Sequence, residues 1–104
     1  MLRTISFQER LTILFFCPEK DDYETLVTTL PLALKLSITD EEDKTLTLRN
    51  EDGSFGLTEA GQVATSEVDF TEKEEEFIKS RLVALNEVRA LNASHMSIYE
   101  KFVL

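Results

Sequence analysis

Cysteine and histidine each occur once, at Cys17 and His95. A lone cysteine closes no internal disulfide, so a reducing, cytoplasmic setting is expected. One Cys and one His cannot supply the usual tetrahedral zinc site. No spacing puts them together as nucleophile and base either. Cys17, between Phe16 and Pro18, reads as a small core residue, and His95 as a helix-end or surface residue. Three glycines give no glycine-rich phosphate loop. No apolar run approaches the ~20 residues of a membrane span. The first nine residues carry Arg3, Ser6, Gln8 and Glu9, without the apolar stretch and small-residue cleavage site of a signal peptide. Bases are also scarce. The net charge is −9, which disfavours nucleic acid and suits a protein partner, a basic one included.

Hydrophobic residues make up 42% of the 104, enough for one ordinary core, and one domain is expected over 1–104. The charge is uneven. Residues 1–76 hold 18 acids and 7 bases, whereas 77–104 hold 2 acids and 4 bases. The chain therefore divides into an acidic body, 1–68, and a helical tail, 69–104, whose last stretch is mildly basic.

Ser6 and Glu9 form a capping-box signature. Phe7, Leu11, Leu14 and Phe15 follow at helical spacing, and Pro18 stops the segment. A strand is the competing assignment over Leu11–Cys17, which is rich in strand-favouring residues. Asp21 or Asp22 caps a second helix through Tyr23, Leu26, Val27 and Leu30, ended by Pro31. The period then turns to two. Leu32, Leu34, Leu36 and Ile38 alternate with Ala33, Lys35, Ser37 and Thr39, and Leu46 and Leu48 with Thr45, Thr47 and Arg49. These predict strands joined by a polar turn, Asp40–Asp43. The Asp52-Gly53 pair in Asn50–Gly53 predicts a hairpin closed by Ser54–Leu57. Thr58 caps a short helix from Glu59 to about Ser66. Thr71 and Glu74 are a second capping box, opening a long helix to about Asn92. Asn92-Ala93-Ser94 breaks it, and a final short helix carries Met96, Ile98, Tyr99, Phe102 and Val103. The expected class is α+β: helices around a small antiparallel hairpin or three-stranded sheet, with a long C-terminal amphipathic helix.

The hairpin, the segment Leu57-Thr58-Glu59-Ala60-Gly61-Gln62 and the helix after it resemble the wing end of winged-helix proteins of the MarR-like and PadR-like kind. The resemblance covers roughly residues 44–92. It implies a wing, helices that pair two copies, and DNA reading by a polar, basic helix before the wing. The corresponding stretch here, Thr28–Thr39, has one base, Lys35. The wing tip carries Glu51 and Asp52, which would repel a phosphate backbone. The resemblance thus implies architecture more than DNA binding.

Other chemistry finds little footing. Against an EF-hand loop with Gly53 sixth, Asn50, Asp52 and Glu59 fit third, fifth and twelfth, but Leu48 stands first, where a carboxylate is required. The acids at Asp40–Asp43 and Glu72–Glu76 sit at a turn and a helix start, where acids are structurally expected. No catalytic constellation emerges, and no cofactor or metal is expected. The tail is the functional clue. Phe77, Ile78, Leu82, Leu85, Val88, Leu91, Ile98, Tyr99 and Phe102 form a broad apolar face. It packs on its own domain or pairs two copies into a homodimer. The expected function is a non-enzymatic regulatory module acting through a protein partner. The alternative is a dimeric winged-helix DNA-binding regulator, which requires Lys35, Lys44 and Arg49 on one surface.

Overall fold

Ser6 caps the first helix as its spacing to Glu9 predicts. Its hydroxyl accepts from the Glu9 amide at 3.1 Å, and the Glu9 carboxylate accepts from the Ser6 amide at 2.8 Å. The structure is a computed structural model that describes residues 1–49 and 51–104. It is α+β. The order is β1 (Leu2–Ser6), α1 (Phe7–Phe16), α2 (Tyr23–Leu36), α3 (Asp40–Leu46), β2 (Thr47–Arg49), β3 (Phe55–Leu57), α4 (Glu59–Val63), β4 (Thr65–Asp69) and α5 (Glu72–Glu87). A 3-10 turn (Ala93–His95) and α6 (Met96–Phe102) complete it.

The segment 11–17 is thus helical. Asp22 caps α2, its side chain accepting from the Thr25 amide at 2.8 Å. Pro31 does not end this helix, contrary to expectation; α2 runs on to Leu36. Proline deprives the carbonyl four residues earlier of its donor. That carbonyl belongs to Val27, and Val27 and Pro31 both lie on the exposed side of α2, where water can replace the missing bond. The alternating leucines are therefore not a strand. Leu32 and Leu36 point into the core one turn apart, while Leu34 points outward. The expected turn at Asp40–Asp43 is in fact the first turn of α3, closed by a capping box between Thr39 and Glu42. Acids gather there because the helix N-terminus favours them.

The β2–β3 hairpin forms as expected, with Thr47 facing Leu57 and Arg49 facing Phe55 in the backbone register. Asn50 in its turn lies outside the described residues. Of the expected hairpin or three-stranded sheet, the hairpin forms; residues 32–36 belong to α2 and add no third strand, and a second antiparallel pair joins β1 to β4. Leu2 faces Asp69 and Ser6 faces Thr65. On this ribbon's inner side Ile5 and Val68 are buried and Arg3 half-buried; Leu2, Thr4, Glu67 and Asp69 meet water. The helix capped by Thr58 is shorter than expected, since residues 65–69 are taken by β4.

One core joins body and tail. Ile5, Ile13, Leu32, Leu36, Phe70, Ile78, Leu82 and Ile98 are almost wholly removed from water, with Val68 and Phe102 beside them. The rings of Phe70 and Phe102 meet edge to face at 5.4 Å between centroids. The tail helix ends at Glu87 rather than Asn92, and Arg89 reverses the chain with φ of 56°. Asn92 then caps the 3-10 turn, and α6 folds back on α5.

Candidate interaction surface

The tail's apolar residues divide sharply. Ile78, Leu82, Ile98 and Phe102 are buried in the chain's own core, so for them the packing is within the domain. Phe77, Leu85, Leu91 and Tyr99 are half-buried. Val88 is left 72% exposed, at the C-cap of α5. The face expected to carry association is thus largely consumed by folding.

Of the three bases required together for DNA contact, Lys35 is engaged within the fold. Lys35 Nζ donates to Glu74 Oε1 at 2.6 Å and to the Asp69 carbonyl at 2.7 Å, which ties α2 to the start of α5. Lys44 is exposed near the end of α3. Arg49 has a described backbone only; its side chain lies outside the described part. The helix before the hairpin is α3, whose first turn carries Asp40, Glu41, Glu42 and Asp43.

Several other charges hold elements to one another. Arg10 is the centre of this arrangement. Its Nε donates to the Leu36 carbonyl at 2.9 Å and its Nη2 to the Ser37 carbonyl, which satisfies orphan acceptors at the C-terminus of α2. Nη1 and Nη2 grip both oxygens of Glu42, at 2.6 and 3.0 Å. One buried side chain on α1 thereby fixes the corner between α2 and α3. Arg10 holds the Glu42 carboxyl down to about 2, against the resistance of burial and with help from the Thr39 amide. Arg3 grips Glu75 in the same two-pronged way, at 2.9 and 3.0 Å, and holds that carboxyl low. Lys101 on α6 donates to buried Glu9 at 2.6 Å. Burial pushes the Glu9 carboxyl up, yet Lys101, the Ser6 amide and the Ser97 hydroxyl outweigh it and leave it lowered.

The single thiol is quiet. Cys17 Sγ donates to the Ile13 carbonyl at 3.7 Å, and burial pushes its titration up, away from the reactive thiolate. His95 stacks on Phe16 at 5.9 Å, and its Nδ1 accepts from the Asn92 amide at 3.0 Å. It borders a hollow of about 650 Å³ with Leu11, Phe15, Leu57 and Gln62. Among the described residues, no three His, Cys, Asp or Glu side chains converge as metal ligands. None of their helices is long and apolar enough to cross a membrane.

The outer face of α2 is also open. Tyr23, Val27, Leu30 and Leu34 project there at 82, 51, 54 and 77% exposure, while Thr29, Leu32 and Leu36 fill the inner face. Their spacing of four, three and four residues puts all four on one stripe. A groove of about 740 Å³ runs beside it between α2 and α5, bordered by Tyr23, Val27, Thr28, Phe77, Arg81 and Ala84. Arg81 lies 5.2 Å over the Phe77 ring and 3.7 Å from Asp21. The stripe was readable in the sequence, but a helix stopped at Pro31 separates Leu34 from the other three.

Searches against protein-family models, curated proteins and solved structures return no match to this chain. The site is therefore read on its own chemistry. That chemistry is apolar and one-sided: four large side chains in water, a groove with an aromatic wall, and charge at its borders.

Proposed function

We propose that this chain is a non-enzymatic regulatory module of the cytoplasm that acts through a protein partner. One observation carries the reading: α2 is apolar on both faces, and only one of them is covered. A helix apolar all round belongs in an interior, and contiguous exposed apolar surface marks an interaction site. The quiet thiol and the carboxylates engaged in element-to-element ion pairs support a binding role over a chemical one. A photo-crosslinking residue at Leu34 in the full chain, expressed in its natural cell, tests this. The expected result is a protein adduct from Leu34 and none from Val63, an equally exposed apolar residue outside the stripe. No protein adduct, beside duplex DNA binding that falls steeply with salt, overturns it.

The winged-helix regulator is the second reading, supported by the order of α2, α3 and the β2–β3 hairpin. It requires phosphate contacts from a helix whose first turn holds four acids. The engagement of Lys35 with Glu74 weakens it further.

A further inference from the structure

We infer that the outer face of α2 is where two copies of this chain meet, with their α2 helices antiparallel about a two-fold axis. The inference rests on the interaction reading and names its partner. The stripe reads the same in both directions. Reversing it lays Tyr23 against the second copy's Leu34 and Val27 against its Leu30, which sets a larger side chain against a smaller one in each pair. An isologous interface needs this self-complementarity, since each contact occurs twice. Antiparallel helices that mesh three- and four-residue spacings pack closely at shallow crossing angles.

The area is adequate. The four side chains expose roughly 500 Å² per copy, given that large aromatic side chains account for about 150–250 Å² each and aliphatic ones somewhat less. Two copies then bury about 1,000 Å² before Glu24, Pro31 and the rim of the α5 groove are added. That is the lower end of specific interfaces. It predicts a weak, reversible dimer.

Sedimentation velocity on the full chain from about 1 to 200 µM reads this directly. The expected result is a monomer–dimer equilibrium. Leu30→Glu and Leu34→Glu should each weaken it by at least about 30-fold, as for residues at the centre of an interface. Both side chains are already exposed, so the helical signal and melting curve should match the parent. Val88→Glu, on an exposed residue of the tail, should leave the equilibrium unchanged. Register is tested by mixing Tyr23→Cys and Leu34→Cys chains, each in a Cys17→Ser background, under mild oxidation; the mixed disulfide should exceed either like pair. A monomer at 200 µM overturns the inference, as does a dimer that Val88→Glu breaks and Leu34→Glu spares. A monomer that still gives crosslinks from Leu34 to another protein overturns the dimer and leaves the interaction reading standing.

Discussion

Replacing Glu42 by glutamine isolates one charge at the corner built by Arg10. The amide keeps the size of the side chain and can still cap α3, so the change removes charge rather than shape. A carboxyl held at about 2 instead of 4.5 favours the folded state by about 3 kcal/mol at neutral pH. The Glu42 side chain keeps 31% of its surface in water, so screening reduces the expected loss to about 2 kcal/mol. Because the folded value is depressed, this stability is fully present above 4.5 and is lost as pH falls toward 2. The difference between the parent and Glu42→Gln should therefore shrink to about 1 kcal/mol at pH 3. Glu9 and Glu75 lose stabilisation over the same acid range, but both proteins share that loss and it cancels. Urea unfolding followed by circular dichroism at pH 7, 5 and 3 measures the difference. A melting temperature lower by roughly 10 °C at pH 7 should accompany it. A gap that stays constant between pH 7 and pH 3, or that lies below about 0.5 kcal/mol at pH 7, refutes the assignment of this stability to the Arg10–Glu42 charge pair.

Two further substitutions probe packing. Thr29→Val should stabilise the fold by about 1 kcal/mol in the same urea assay, because Thr29 Oγ1 is buried with no partner among the described residues and valine fills nearly the same space. A loss of stability would show that the hydroxyl has a bound water as partner. Gly61→Ala should destabilise by more than about 2 kcal/mol despite alanine's better helix propensity. An added Cβ would lie 2.1 Å from the Leu46 carbonyl oxygen, where only backbone can yield. An unchanged melting temperature would mean that α3 and α4 do not sit this close.

These contacts differ in how far the sequence announces them. Caps are local, so Ser6 with Glu9, Thr58, and Thr71 with Glu74 can be read within four residues, and each closes in the structure. Thr39 with Glu42 carries the same signature, yet a run of four acids reads equally well as a turn. Pro31 misleads because its cost depends on which face of the helix it occupies, and that face is set by the core. Leu32, Leu34 and Leu36 fit two templates, since a helix apolar on both sides also places leucine at every second position. The β1–β4 ribbon is the hardest element to foresee. Both strands are short and half polar, and their partners lie 59 to 67 residues apart. The candidate surface was half legible. Its residues were visible as apolar, but telling the tail face from the α2 stripe requires knowing which one the core consumes.

The β1–β4 pairing also sets a clock on synthesis. The strand Leu2–Ser6 leaves the ribosome before its partner and stays unpaired until Thr65–Asp69 has followed it. At the usual pace of about 5–20 residues per second, that interval is roughly 3 to 12 s. Throughout it, Ile5 and the unpaired edge around it face water, where another nascent strand can dock. Slow decoding between residues 7 and 64 would lengthen the wait. Synonymous codon choice in that stretch should therefore affect the yield of folded protein while leaving its final structure untouched.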